Sequence, residues 1–196
     1  MEPIFIPIVI ISIVIIIIVY NYYFSRIQKI KRSLKKASYS PIKSFRSGDI
    51  SKIVGEVEPV GETLIAPLSQ RPCCYYYVKV EQQVSFGKSS HWKTIIEDIK
   101  SSTFVINEGG YRAFIDSNNI QKYVVFDAKF SSGTFNDPSN RLIQYLEQFG
   151  KESTGMLGFN KTLRFREGIL EIGEKVAVLG EGRWKDVYEP DLPVSF

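Results

Sequence analysis

Residues 73–86, with the sequence CCYYYVKVEQQVSF, carry the clearest strand pattern in the chain. Two sets of side chains alternate along this stretch: Cys74, Tyr76, Val78 and Val80 in one set, and Tyr75, Tyr77, Lys79 and Glu81 in the other. A period of two residues is typical of a β-strand that turns one face to a core. The stretch therefore predicts a long strand around which a sheet is built.

The segments on either side of this strand predict further antiparallel strands. Phe86 to Ser90 is predicted as a five-residue polar connection, and His91–Ile99 as the second strand of a hairpin. Further short strands are predicted at Ile50–Val57 (with Gly55 marking a bulge), Thr63–Ala66, Thr103–Asn107, Tyr111–Asp116, Gln121–Phe126, Leu163–Leu170 and Lys175–Leu179. Residues 131–140 are predicted to be rich in turns, with Asp137-Pro138-Ser139 preparing the start of a helix.

One helix is predicted within this strand-rich region, at Arg141–Phe149. Its apolar residues Leu142, Tyr145, Leu146 and Phe149 follow the i, i+3, i+4, i+7 spacing of an amphipathic helix. No strand–helix–strand alternation appears, which disfavours a parallel sheet. We therefore predict a mainly β fold, a compact antiparallel barrel or sandwich with one short helix.

The opening run from Pro3 to Tyr20 contains no charged residue. A bilayer core needs roughly 20 apolar residues in a helix, a length that this run reaches when it is extended through Phe24. A cleaved signal peptide would have a positive segment before the run and small residues after it. The run has neither, so we predict an uncleaved transmembrane helix ahead of the β fold.

Basic residues are concentrated directly after this run, and no acidic residue lies between Glu2 and Asp49. Basic residues beside a span stay in the cytoplasm, which predicts an outside N-terminus and a cytoplasmic β-domain. Ile27, Ile30 and Leu34 recur at helical spacing, so the segment is either an amphipathic helix on anionic headgroups or a topology signal with a solvated tether. The candidate membrane-surface residues are Arg26, Lys29, Lys31, Arg32, Lys35 and Lys36.

The overall composition limits the classes of function. The 196 residues carry a net charge of +4, but the chain from Ser47 onward is mildly acidic, which disfavours nucleic acid as a partner. Two cysteines and one histidine cannot supply the four ligands of a zinc finger or RING. We predict no metal and no cofactor, and four regions: an anchor (1–24), a basic tether (25–47), a β-domain (48–186) and a tail (187–196).

Few residues offer chemistry. Cys73 or Cys74 with His91 would make a nucleophile and base, but no third orienting group is evident and a free cysteine commonly packs as a small apolar residue. We therefore predict no catalytic residue. Arg164, Arg166 and Glu167 either bind an anionic group or form cross-strand charge pairs. The candidate partner-binding residues are Tyr75, Tyr77, Trp92, Arg164 and Arg166.

Several stretches, taken in order, resemble one family. They are GEVEPVGETLIAPL at 55–68, PCCYY at 72–76, His91-Trp92, Phe114-Ile115-Asp116, RFREGIL at 164–170 and IGEKVAVLG at 172–180. This set is similar to the GIDE domain, also called the BAM (beside-a-membrane) domain, of the MULAN-type membrane-bound E3 ubiquitin ligases. The residues that carry the resemblance are Gly55, Gly61, Pro67, Pro72, Cys73, Tyr76, Glu167, Gly173 and Gly180.

The resemblance implies a β-rich module that recognises partners beside a membrane. It does not extend to the RING that makes those proteins ubiquitin ligases. We expect a single-pass membrane-anchored recognition or scaffolding module that is not catalytic by itself. The alternative is a component related to E3 ubiquitin ligases that acts with a separate RING subunit. The expected partners are the lipid bilayer, its anionic headgroups and a protein.

Overall fold

The computed structural model describes residues 5–87, 89–116, 126–133, 138–154 and 161–185. Its α-helices are α1 (Phe5–Phe24), α2 (Arg26–Lys36) and α3 (Asn140–Gln148). Its strands are β1 (Ile50–Pro59), β2 (Leu64–Ile65), β3 (Pro72–Phe86), β4 (Ser89–Ser101), β5 (Phe104–Glu108), β6 (Tyr111–Phe114), β7 (Ala128–Ser132), β8 (Leu163–Glu171) and β9 (Lys175–Glu181). The predicted mainly β class is confirmed.

The strands form two sheets, and the pairings described below are antiparallel. One sheet has the order β6-β5-β1-β9. The other is built on β3, the strand that the sequence predicted most clearly. Strand β8 pairs with one edge of β3, and β7 pairs with the far edge of β8. Strands β2 and β4 share the other edge of β3, at successive positions along it.

The β3–β4 hairpin is confirmed, but its predicted five-residue connection is wrong. Ser89 pairs with Phe86 and Ser90 pairs with Ser85, so the strands continue almost to the turn. Gly87 lies in the turn with a φ of 59°, a left-handed conformation that glycine adopts without strain. The hairpin is therefore longer and its turn tighter than its polar sequence indicated.

Strand β7 was not predicted, since residues from Ser131 onward read as turn-rich. It forms because the edge of β8 supplies backbone partners, with Phe130 opposite Phe165 and Ser132 opposite Leu163. Most of the strand predicted at Gln121–Phe126 lies outside the described residues, as does Asp137 of the predicted helix start. The predicted helix is present as α3, with Ser139 at its N-cap.

The chain divides into two compact units, and β1 and β9 each run through both. We call residues 1–54 and 177–184 the basic unit, and residues 55–176 and 185–196 the β unit. The core of the β unit is formed by Ala66, Leu68, Cys73, Tyr76, Val78, Val80, Ile96, Leu142, Tyr145, Leu146, Leu163, Phe165 and Ile169. Helix α3 thus contributes the apolar face that its spacing predicted, although Phe149 follows the helix and is exposed.

The basic unit begins with α1, which confirms a helix over the opening run. The described side chains from Val9 to Tyr20 are exposed, with Ile16 at 65%. Within the described ranges, no helix combines the length and the apolar character that crossing a membrane requires. The predicted transmembrane helix is therefore not found among these residues, and membrane insertion stays a prediction.

The rest of the basic unit is ordered around the start of β1. Ser25 caps α2 by accepting a 3.4 Å hydrogen bond from the Gln28 N–H. After α2, the Lys52 and Ser40 N–H groups donate to the carbonyls of Ser38 and Lys52, respectively, each at 2.9 Å. Residues 38–52 are thus tied to one another by backbone bonds, in contrast to the solvated tether considered from the sequence.

Trp184 is held against the same segment. Its indole Nε1–H donates to the Phe45 carbonyl at 2.7 Å, and its backbone N–H donates to Ser47 Oγ at 3.0 Å. Between Phe45 and Ser47 the chain therefore accepts two bonds from a residue far away in sequence. These contacts join the segment that follows β9 to residues 45–47 within the basic unit.

Candidate functional site

The outer face of the β3 sheet carries a cluster of cations around one carboxylate. The register places Lys79 opposite Arg166 and Glu81 opposite Arg164, so the four side chains share one face. Arg164 Nε lies 2.5 Å from Glu81 Oε2, Arg166 also donates to that oxygen, and Lys79 Nζ lies 3.4 Å from Oε1. We call Lys79, Glu81, Arg164 and Arg166 the cation cluster.

Glu81 is buried beneath these cations, with 6% of its side chain exposed. The hydrogen bond from Arg164 and the bond and charge of Arg166 lower the pKa of Glu81 to about 2, against the cost of its burial. Three cations face one anion, so the cluster carries two positive charges in excess. The cross-strand charge pairing predicted for Arg164 and Arg166 is confirmed, with Glu81 as their shared partner.

Aromatic rings flank the cation cluster on both sides. The Arg164 guanidinium lies 4.1 Å from the centroid of the Trp92 ring, and that of Arg166 lies 5.1 Å from the Phe126 ring. The Tyr77 ring is 5.5 Å from Phe126. Such contacts favour a cation held over a ring face. The structure thus brings together four of the predicted partner-binding residues, namely Tyr77, Trp92, Arg164 and Arg166.

Tyr75 does not join this group. It is 7% exposed, and burial raises its pKa. Tyr77 is more accessible and donates its hydroxyl to Glu97 at 2.9 Å. Burial, together with the bond to Glu97, raises the pKa of Tyr77 to about 12. Both tyrosines are therefore protonated at neutral pH.

Glu167 lies in the core and not on the charged face, so cross-strand charge pairing is wrong for this residue. Its two carboxylate oxygens accept hydrogen bonds from the backbone N–H groups of Leu68 (2.7 Å) and Ser69 (2.9 Å). Arg141 donates to the Leu68 carbonyl from the other side at 2.7 Å. A fully buried carboxylate thus fixes the turn before β3, where Gln70 adopts a φ of 61°.

The other residues that carry the family resemblance also lie in structural positions. Pro72 and Cys73 pair with β2, and Pro67 lies in the turn held by Glu167. Gly61 and Gly173 have positive φ angles of 80° and 79°. Gly55 lies where β5 approaches closely, since a Cβ there would meet the Asn107 carbonyl oxygen at 2.3 Å. Gly180, in the basic unit, has open space around it.

Tyr76 belongs to a buried polar contact beneath α3. The hydroxyls of Tyr76 and Tyr145 both donate to Asp98 Oδ2, at 3.2 Å and 3.1 Å. Burial, and the charge and hydrogen bond of Asp98, raise the pKa values of both tyrosines. The sequence pattern did not indicate Asp98, because only the register shows that it lies opposite Val78 on the core face.

The thiol and histidine considered as a nucleophile and base are far apart. His91 lies opposite Val84, ten residues along β3 from Cys74, which at the rise of a strand is roughly 30 Å. Both cysteines are buried, and burial raises the pKa of Cys73 to about 11 and also raises that of Cys74. A nucleophile is activated by a lowered pKa or an adjacent base, whereas these thiols have raised pKa values and His91 is too distant to act as their base.

The candidate membrane-surface residues are on α2. Lys29, Lys31, Arg32, Lys35 and Lys36 are exposed, whereas the Arg26 side chain lies outside the described residues. Ile30 and Leu34 are half-buried and Ile27 is exposed. Helix α2 thus presents several cations on one short element.

Comparison of the chain with family models, curated proteins and solved structures returns no match. The resemblance to the GIDE domain therefore stays a prediction that rests on the motifs themselves.

Proposed function

We propose that the protein is a membrane-anchored recognition or scaffolding module that is not catalytic by itself. The observation that carries this proposal is the difference in net charge between the two units. The basic unit holds ten basic and three acidic residues, a net charge of +7. The remaining 15 basic and 18 acidic residues leave the β unit at −3.

The surface of α1 supports its insertion into lipid. Ten Ile and Val side chains from Val9 to Val19 are each about half exposed or more. Removing apolar surface from water contributes roughly 25 cal/mol per Å², so acyl chains around this helix would stabilise it strongly. A helix also satisfies its own backbone hydrogen bonds, as lipid requires.

The cations of α2 support an interfacial position directly after the anchor. Each basic residue near an anionic surface contributes about 1 kcal/mol of attraction. Five exposed cations on α2 therefore favour a leaflet that carries anionic headgroups. We propose a single pass, with the N-terminus outside and the β unit on the cytoplasmic side, where positively charged flanks remain.

The β unit supplies the recognition surface in this proposal. The cation cluster is charged in excess, held in place by Glu81 and flanked by Trp92, so it offers a preformed site for a protein partner. Arginine and tryptophan are enriched among residues that contribute most to protein interfaces. The antiparallel sheets of the β unit would form the compact barrel or sandwich that supports this face.

The anchor is tested by charge insertion in the full chain. Replacing Ile13 and Ile16 with arginine places two charges in the apolar run. An arginine at the centre of a span costs about 2.5–3.5 kcal/mol, so the double substitution lowers membrane partition by a thousandfold or more. The matched control, Ile65→Arg with Ile172→Arg, puts the same charges on exposed apolar positions of the β unit. Flotation with vesicles measures both.

We expect the first variant in the soluble fraction and the control in the membrane fraction. Protease added outside sealed vesicles of known orientation then tests the topology, and the β unit should be digested only when its proposed side faces out. Equal flotation of the two variants would exclude α1 as the anchor.

A further inference from the structure

Strand β4 presents a long sheet edge. It runs from Ser89 to Ser101 and pairs with β3 along its inner edge. Within the described part of the chain, no other strand pairs with β4, since β2 meets β3 beyond the end of β4. A row of outward backbone N–H and C=O groups is a template for another strand.

A bulge in the middle of β4 determines which side chains share a face. Val80 lies opposite Ile96 and Glu81 lies opposite Thr94, so Ile95 is the extra residue. Before the bulge, Trp92 and Thr94 share the outer face, and Lys93 faces the core side. After the bulge, Glu97 and Ile99 share the outer face, and Asp98 faces the core side.

We propose that β4 pairs antiparallel with β4 of a second copy of this chain, about a two-fold axis near Ile95 and Ile96. This register is self-complementary. It places Lys93 opposite Asp98 of the second copy, Trp92 opposite Ile99, Thr94 opposite Glu97, and Ser90 opposite Ser101. Every one of these pairs joins side chains on the same face, because the bulges of the two copies meet at the axis.

The charges on β4 support a second copy of this strand as its partner. Asp98 is half-buried and accepts two tyrosine hydroxyls at Oδ2. No described cation forms an ion pair with it. Lys93 is exposed, and the two-fold axis brings it to Asp98 twice. Opposite charges placed directly across antiparallel strands stabilise the pair, whereas like charges destabilise it.

The apolar side chains agree with the same register. Trp92 is 37% exposed and Ile99 is 53% exposed on the outer face. Pairing each with the other across the axis would cover both, and aromatic–aliphatic cross-strand pairs are favourable. The strand therefore offers matching charge and matching apolar contact in a single register. This inference does not depend on membrane anchoring.

Disulfide trapping tests the register in the full chain in vesicles. Ser90 and Ser101 are exposed, and Ser90→Cys with Ser101→Cys would place two thiols about 5 Å apart by Cα across the axis, within disulfide range. Within one chain these positions are roughly 35 Å apart, so any bond formed joins two copies. The native cysteines are fully buried. The control pair, Thr94→Cys with Ser101→Cys, is out of register.

Charge reversal provides a second measurement. Lys93→Glu sets two like charges opposite Asp98 and should weaken dimerisation about tenfold or more. Lys100→Glu is the matched control, because the register places it opposite His91 and no acidic residue. Energy transfer between labelled copies at dilute protein-to-lipid ratios reports the dimer for each variant.

Rapid cross-linking of the first cysteine pair and not of the control, with dimer loss in Lys93→Glu alone, is the expected result. Equal cross-linking of both pairs, or equal behaviour of the two lysine variants, would overturn the proposed register. A monomer at all densities would also overturn it and would leave the membrane-anchor proposal standing, because flotation measures that separately.

Discussion

The two units of this protein place similar apolar side chains in opposite environments. Ile16 in the basic unit is 65% exposed, whereas Ile106 in the β unit is fully buried. In β3 of the β unit, the core residues Tyr76, Val78 and Val80 alternate with less buried ones, so the strand has one face for a core. In α1 apolar residues are continuous, so the helix has no polar face. The comparison shows that periodicity, and not apolar content, determines which segment can bury itself.

The largest effect that we predict concerns Glu167, whose carboxylate accepts backbone hydrogen bonds within the β unit. Glu167→Ala removes both acceptors for the Leu68 and Ser69 N–H groups, of which the first is buried and the second half-buried. Hydrogen bonds to charged groups contribute about 1.5–3 kcal/mol each, so we expect the unfolding free energy of the β unit to fall by about 4 kcal/mol. Hydrogen exchange of β3 and β8 amides measures this loss.

Membrane flotation of Glu167→Ala serves as the control, since α1 is unchanged in this variant. Loss of flotation together with loss of exchange protection would show that the two units do not differ as we describe.

Two glycines, one in each unit, allow the cost of added side-chain volume to be compared directly. A Cβ at Gly55 in the β unit would meet the Asn107 carbonyl oxygen at 2.3 Å, whereas one at Gly182 in the basic unit would meet the Phe45 ring at 2.7 Å. Backbone cannot move aside as a side chain can, so we expect Gly55→Ala to cost about 3 kcal/mol and Gly182→Ala about 1 kcal/mol. Thermal unfolding of the two variants tests the order, and a larger loss for Gly182→Ala would contradict it.

A further predicted effect depends on pH. The pKa of Glu81 falls from an ordinary value of 4.5 to about 2 on folding. The unfolded chain therefore binds more protons between these values, so the stabilisation is complete above pH 4.5 and is lost as the pH falls toward 2. On the order of 2 kcal/mol should disappear across this window.

Glu81→Gln should flatten this part of the pH dependence, measured by denaturant unfolding between pH 2 and 5. Glu58, whose pKa is lowered mainly by its hydrogen bond with Arg112, keeps its own contribution in both proteins. Glu56→Gln, at an exposed position on β1, is the matched control. If the unfolding free energy of Glu81→Gln fell with pH as steeply as that of the unchanged protein, the cation cluster would not be the cause of the pH dependence.

Much of the fold could be predicted because local pattern and tertiary environment agree. Alternation identified β3 and helical spacing identified α3. Tyr76, Val78 and Val80 of β3 and Leu142, Tyr145 and Leu146 of α3 lie in the core as these patterns predicted. Strand β7 could not be predicted, because it has no alternation of its own and forms on an edge supplied by β8. The hairpin turn was misjudged because serine is common in loops, although here Ser89 and Ser90 pair within the ladder.

The candidate site shows the same division. Arg164, Arg166 and Trp92 could be identified individually as candidates, since cations and aromatic rings are visible in the sequence. Their convergence on Glu81 required the register between β3 and β8. The sequence predicts Glu167 in the charged group with them, because a carboxylate three residues from one arginine and next to another is typical of a charge pattern.

The sequence alone determined where most of the strands and helices lie and how charge divides along the chain, because both depend on short-range order. Only the tertiary structure decided which polar groups meet, because Glu81, Asp98 and Glu167 find their partners across strands or on distant turns. A buried polar group needs its hydrogen bonds, and the residues that supply them are selected by register and packing, which have no local signature.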